Sequence, residues 1–179
     1  MINRIDGEIC PDRKDHWASL VVTQGHQRMD PDEQKALADI EQYGCHIIHV
    51  VAEGELPPFS YSIGIWRSAG EPELIVVGLK RAIAQFAINE YNRRVRSGER
   101  FRDGEFAGGF LEGFDCLFRE VDRAHYREYM GWDRWLYRGD DFATLQLVYP
   151  TTSGIWPWQP EASEWFRKWQ TMLSPPAAQ

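Results

Sequence analysis

Polar residues placed inside apolar segments are the first candidates for a functional site. Ser60 and Ser62 alternate with Phe59 and Tyr61 at the two-residue period of a strand. Gly64 continues the serine stripe, and side chains this small let a ligand or another backbone approach closely. The stripe therefore predicts either a ligand contact or a sheet face covered by another element. No Gly-x-Ser-x-Gly motif surrounds either serine, so the sequence does not indicate a nucleophile.

Arg119 is the charged candidate for a binding site. It shares a predicted strand face with Leu117 and Val121, so we expect its guanidinium on the inner side of the sheet. A buried guanidinium needs a carboxylate or an anionic ligand. The structural alternative is an ion pair with one of three carboxylates: Glu73, Asp140 or Asp141.

Two further side chains complete the predicted ligand contacts. Gln146 lies in the middle of an apolar strand segment, where its amide must find partners or line a cavity. Tyr137 offers a phenolic donor, although a core tyrosine with a satisfied hydroxyl has the same pattern. With the serine stripe and Arg119, these residues predict a pocket for a small anionic or aromatic ligand.

The two histidines of the first apolar strand segment are the metal candidates. His46 and His49 are three residues apart, so on a strand they point to opposite faces and need a bulge to share an ion. The cysteines, Cys10, Cys45 and Cys116, form neither a CxxC clamp nor a disulfide framework, and they indicate a reducing compartment. A histidine-dependent metalloprotein is thus a further hypothesis, and no cofactor is assigned.

Composition argues against several classes of function. The formal net charge of −7 and the pI near 5.2 disfavour broad binding to nucleic acid or anionic membranes. No segment approaches the roughly 18–20 apolar residues of a membrane span. The N-terminal residues MINRIDGEICPDRKD lack the apolar stretch of a secretory signal, so we expect a cytoplasmic location.

Tryptophan is concentrated near the C-terminus. Six of the eight tryptophans fall between Trp132 and Trp169. This density indicates either a surface that binds a protein partner or a C-terminal segment that wraps the core. A protein–protein interaction module is therefore the alternative to the pocket protein.

Hydrophobic periodicity and capping signals predict the elements that carry these residues. Asp30, Pro31 and Glu33 predict a capped helix that ends at Gly44. Strands are predicted at 45–52, 59–66, 73–79, 114–121 and 142–149, and further helices at 80–97, from Asp122 to Gly131 and near 161–173. The glycine-rich residues 98–113 predict a loop without the pattern of a phosphate-binding loop.

This order of elements predicts an α+β fold. Short connections favour antiparallel neighbours, so we expect a mainly antiparallel curled sheet, or a small split-barrel-like sheet, with flanking helices. Residues 1–29 are expected to form an N-terminal arm, residues 30–173 a single domain and residues 174–179 a disordered tail.

Several segments, in order, resemble a known family. They are GCHIIHV at 44–50, PPFSYSIGIW at 57–66, PELIVVGL at 72–79, LFREV at 117–121, YRGDDFATLQLVYP at 137–150 and GIWPW at 154–158. Over roughly residues 43–158 the chain resembles a bacterial family catalogued as domain of unknown function 4262. The resemblance implies no catalytic role. Relatives often carry histidines after the second strand, in a pattern like HTFGHPE, whereas residues 67–73 here contain none.

Overall fold

The computed structural model describes residues 29–174. The helices of this part are α1 (Pro31–Tyr43), α2 (Ile65–Ala69), α3 (Arg81–Arg96), α4 (Tyr126–Tyr129), α5 (Gly131–Tyr137) and α6 (Glu164–Trp169). Its strands are β1 (His46–Val50), β2 (Phe59–Ile63), β3 (Glu73–Val77), β4 (Phe106–Leu111), β5 (Phe114–Glu120) and β6 (Thr144–Val148). The predicted arm and tail lie outside the described residues except for residues 29 and 174, so both stay predictions.

Helix α1 begins and ends where its capping residues predict. The Asp30 side chain accepts a bond from the Asp32 backbone N–H at 2.8 Å, and the Glu33 carboxylate accepts one from the Asp30 N–H at 3.2 Å. This reciprocal pair is a capping box. At the other end, Gly44 has φ of 88° and donates its N–H to the Ile40 carbonyl. The predicted start and stop signals are therefore confirmed.

The six strands form one open, mixed sheet in the order β1-β2-β3-β6-β5-β4. The α+β class is confirmed, but the expected mainly antiparallel, barrel-like sheet is wrong. Strands β3 and β6 are parallel, and they join two antiparallel groups at the centre of the sheet. Short connections predict only the pairing of sequence neighbours. The long excursion from β3 to β6 allows the chain to return in the same direction.

Glycines account for two local differences from the sequence prediction. Strand β2 ends at Ile63 because Gly64 takes φ of 103°, which turns the chain into α2 instead of extending the strand. The predicted glycine-rich loop contains β4, which pairs with β5 through a register irregularity between Ala107 and Leu111. Glycines in that segment form part of a bulged edge strand.

Both faces of the central strands are covered. Leu74 and Val76 of β3 belong to a core with the buried side of α3, whereas Ile75 and Val77 belong to a second core with residues of α4 and the C-terminal segment. This alternation is the strand period expected for a sheet with helices on both sides. No helix within residues 29–174 is long and apolar enough to cross a membrane. The cytoplasmic location stays a prediction.

Candidate ligand groove and buried acid pair

Glu73 opens β3 and is fully buried in the protein. Its carboxylate accepts four hydrogen bonds, from Ser62 Oγ at 2.6 Å, the Tyr137 hydroxyl at 2.5 Å, and the backbone N–H groups of Gly64 and Trp66 at 2.9 and 3.0 Å. Oε1 accepts three of these bonds and Oε2 accepts the one from Ser62, an arrangement in which Glu73 is only an acceptor, as an ionised carboxylate is. Burial raises the pKa of Glu73, and the donors oppose that rise.

The turn after β2 is shaped to meet Glu73. Gly64 has φ of 103°, and a Cβ at this position would lie 2.6 Å from Cγ1 of Ile40, so the position requires glycine. This turn directs two backbone N–H groups at the carboxylate. Ser62 Oγ also accepts a bond from the Leu74 N–H at 2.9 Å, so the hydroxyl bridges β2 and β3. The serine stripe therefore serves a buried anion of the protein itself at this position.

Asp133 of α5 is a second fully buried carboxyl within electrostatic reach of Glu73. Both of its carboxylate oxygens lack a hydrogen-bond partner among residues 29–174. Burial, together with the charge of Glu73, raises the pKa of Asp133 well above its ordinary value. A bare buried carboxylate would cost several kcal/mol. The geometry therefore favours a charged Glu73 beside a neutral Asp133.

A groove with a volume of about 530 Å³ lies beside β1, the last strand at one end of the sheet. This volume falls within the roughly 300–1,000 Å³ of small-molecule sites. Helices α1 and α3 form its sides, and Trp132 of α5 completes the lining. The other side chains with polar groups along the groove are Asp32, Lys35, Asp39, Tyr43, Cys45, His46, His49, Arg81, Gln85 and Asn89.

The two histidines of β1 both line this groove, but they have different partners. His46 Nδ1 lies 2.7 Å from Asp39 Oδ2, which also accepts a bond from Lys35 Nζ at 2.6 Å. His49 Nδ1 lies 2.8 Å from Ser60 Oγ. Each ring therefore keeps Nε2 for a ligand. In the described part of the chain, no group of three or more metal-ligating side chains comes together.

Arg81 is a cation of the groove with no ion-pair or hydrogen-bond partner among the described residues. It is the first residue of α3, whose first turn contains no acidic residue and whose N-cap, Lys80, makes no side-chain capping bond. The positive end of a helix dipole thus adds to the guanidinium. Burial and the charge of Arg81 lower the pKa of His49, which favours a neutral imidazole.

The structure separates the six predicted ligand contacts into four places, one of which is that of Arg119 beside Asp103. Ser62, Gly64 and Tyr137 meet at Glu73, and Ser60 supports His49 at the groove. Gln146 is buried against the C-terminal segment, where its amide donates to the Thr171 carbonyl and accepts from the Leu173 N–H, both at 2.8 Å. Binding of an external ligand by these side chains stays a prediction.

The expected inner position of Arg119 is wrong. Its side chain is 34% exposed, and Nε donates to Asp103 Oδ1 at 2.9 Å. Asp103 also accepts a bond from the Glu120 N–H at 2.8 Å, so it anchors the end of β5. The carboxylate partner was expected, but none of the three proposed acids provides it. Alternation along β5 could not show that this end of the sheet face is incompletely covered.

Sequence reasoning missed the acid pair and the groove cations. Glu73 has a visible signal, because it opens an apolar strand segment in which every residue is buried. Asp133 has a weaker signal, an acid between the aromatic residues Trp132 and Trp135. Arg81 carries no sequence signal, because an arginine at the start of a helix is common on protein surfaces.

The tryptophans divide between the two expected roles. Trp169 donates its indole N–H to the Gly78 carbonyl at 2.9 Å, as expected for a segment that wraps the core. Trp158 and Trp165 are 50% and 63% exposed, and each stacks on another tryptophan. The C-terminal segment thus has both a structural side and an open aromatic side.

Comparison with known proteins gives one match. A family model described as domain of unknown function (DUF4262) matches residues 39–163, which include the acid pair and most of the groove lining. No curated protein and no solved structure matches the chain.

Proposed function

The chain belongs to the DUF4262 family, and from this premise we propose that it binds a small anionic ligand in the groove beside β1. Arg81 is the observation that carries the proposal. It lines the groove at the positive end of α3, where the N-cap makes no side-chain bond, and it has no partner within residues 29–174. An arginine presents planar paired donors that suit carboxylate or phosphate oxygens.

The choice of an anion rests on where the unpaired charges of the groove lie. Lys35 is already paired with Asp39, which also holds His46, and the remaining acid of the lining, Asp32, belongs to α1, whereas Arg81 begins α3. Arg81 then offers donors to an incoming anion, and His49 offers its Nε2–H in the tautomer whose Nδ1 accepts from the Ser60 hydroxyl, because neither group has another partner among residues 29–174. A cationic ligand would meet Arg81 and the helix dipole unfavourably.

Trp132 adds a preference for a ring. Its side chain lines the same groove and is only partly buried. Stacking on an exposed indole face contributes about 0.5–1.5 kcal/mol in aromatic pairs. We therefore expect an aryl anion to bind more tightly than the corresponding inorganic anion.

Isothermal titration with inorganic phosphate and with phenyl phosphate at low salt tests the proposal. Charge-assisted hydrogen bonds contribute about 1.5–3 kcal/mol, so we expect Arg81→Gln to weaken both probes by roughly ten- to a hundred-fold. Trp132→Ala should weaken phenyl phosphate selectively. Arg93→Gln is the matched control, because Arg93 lies on the same helix but pairs with Glu90 outside the groove.

Two results would contradict this function. One is the absence of binding by either probe at millimolar concentration. The other is an equal loss of affinity in Arg81→Gln and Arg93→Gln, which would indicate attraction to the general surface.

A protein-binding surface is the second candidate, favoured by the exposed stacked tryptophans. Trp156 and Trp158 stack with ring centres 5.1 Å apart, and Phe106 of the edge strand β4 packs against Trp156. Exposed tryptophans of this kind are enriched among residues that dominate binding energy. Trp158→Ser should leave phenyl phosphate binding unchanged, so the two candidate functions separate experimentally.

A further inference from the structure

Helix α5 connects the buried acid pair to the groove. Trp132 lines the groove, and the next residue, Asp133, is fully buried beside Glu73. Two polar contacts hold this helix on the sheet. The Trp132 N–H donates to the Tyr61 hydroxyl at 3.3 Å, and the Tyr137 hydroxyl donates to Glu73 at 2.5 Å. A displacement of Asp133 would therefore also displace Trp132, the adjacent residue, which lines the groove.

Asp133 must be compensated by a proton or by a bound cation. A hard cation needs about six oxygen ligands. Glu73 and Asp133 together offer only four carboxylate oxygens, and Oε1 of Glu73 already accepts three hydrogen bonds. In the part of the chain that the structure describes, Asp133 makes no ion pair, and the titratable groups that face it are Glu73 from β3, Tyr61 from β2 and Tyr137 from α5. The charges of the adjoining α4, Arg127 and Glu128, are exposed. A proton is the compensation that this geometry accommodates.

We propose that Asp133 is a proton-dependent positioning residue for the groove. In its neutral form it allows α5 to lie on the sheet with Trp132 in the groove wall. When it loses its proton, a second buried negative charge appears beside Glu73, and α5 moves away to hydrate it. The control of ligand affinity rests on the proposed function, whereas the movement of α5 does not.

The direction of the pH dependence follows from linkage. An unfolded chain releases the Asp133 proton near the ordinary pKa of about 3.9, whereas the folded protein retains it because burial and Glu73 raise its pKa. The free energy of unfolding is therefore highest below the ordinary pKa of the unfolded chain. It falls as pH rises from that value toward the raised pKa of Asp133 in the folded protein. One linked proton changes the unfolding equilibrium constant by up to about tenfold per pH unit.

Urea unfolding from pH 5 to pH 8 tests the protonation state. Asp133→Asn keeps the shape and neutrality of the side chain but cannot ionise. We expect the unfolding constant of the native chain to rise relative to that of Asp133→Asn by several-fold to tenfold per pH unit. Asp141→Asn is the control, because Asp141 is exposed, and it should follow the native chain. A constant ratio between the native chain and Asp133→Asn would overturn the proposal.

Fluorine NMR of protein labelled with 5-fluorotryptophan tests the movement. The Trp132 signal is assigned by its loss in Trp132→Phe. We expect this signal to change at alkaline pH in the native chain and to stay constant in Asp133→Asn. An identical response in both would overturn the proposal. Because this measurement needs no ligand, its result is independent of whether phenyl phosphate binds. Where binding occurs, phenyl phosphate affinity should fall at alkaline pH in the native chain only.

Discussion

Removal of the Tyr137 hydroxyl tests whether Glu73 is held as an anion. The substitution Tyr137→Phe keeps the ring and removes one of four donors to a fully buried carboxylate. A hydrogen bond to a charged group contributes about 1.5–3 kcal/mol to stability, whereas a bond between neutral groups contributes about 0.5–1.5 kcal/mol. With three donors left, we expect a loss of about 2 kcal/mol.

Urea unfolding at pH 7 measures this loss, with Tyr126→Phe as the matched control. Tyr126 packs in the same core as Tyr137, but its hydroxyl donates to a neutral acceptor, the Phe142 carbonyl, at 3.2 Å. We expect the control to lose about 1 kcal/mol or less. An unchanged denaturant slope would show that both variants unfold from a comparable native state.

The difference between the two variants should also depend on pH. The loss of a donor raises the pKa of Glu73 further in the folded protein, because that hydrogen bond favours the charged form. When the pKa of a carboxyl is higher in the folded protein, the free energy of unfolding falls as pH increases. The difference in free energy of unfolding between the native chain and Tyr137→Phe should therefore widen from pH 5 to pH 8. If Tyr137→Phe loses no more than Tyr126→Phe, Glu73 is not an anion held by these donors, and a deficit that narrows as pH rises would contradict the expected direction of the pKa change.

Two further predictions concern sites outside the groove. Asp30→Ala removes the side-chain half of the capping box and should lower the free energy of unfolding by about 1 kcal/mol; an unchanged thermal midpoint would show that α1 starts without this cap. Arg119→Met should change stability by less than about 1 kcal/mol, because its ion pair with Asp103 is partly exposed. A loss of several kcal/mol on urea unfolding would instead indicate a buried charge pair.

Local signals predicted much of the fold. The Asp30 capping box and the Gly44 stop depend on backbone chemistry within a few residues, and the structure contains both. The parallel pairing of β3 with β6 could not be predicted in the same way. It depends on a connection through α3, β4, β5 and two short helices, and no residue in either strand encodes its distant neighbour.

The candidate site was predictable only in part. The small and hydroxyl-bearing residues of β2 predicted either a ligand contact or a covered sheet face, and in the structure Ser62 and the Gly64 N–H meet Glu73 of the same chain. Alternation indicates which face a side chain occupies, and it does not indicate what lies opposite. Asp133 reaches Glu73 from a helix about sixty residues further along, which is a tertiary relation without a local sequence pattern.

The parallel joint at the centre of the sheet has a consequence for folding kinetics. Strands β1 to β3 can pair soon after they are adjacent in sequence, and β4 to β6 can do the same. The two groups join only when Glu73 and Leu74 align with Thr144 and Leu145, which closes a long loop. Contacts between residues so far apart in sequence form slowly. The same closure brings α5 over Glu73, so the carboxylate loses its water in the step that joins the two groups.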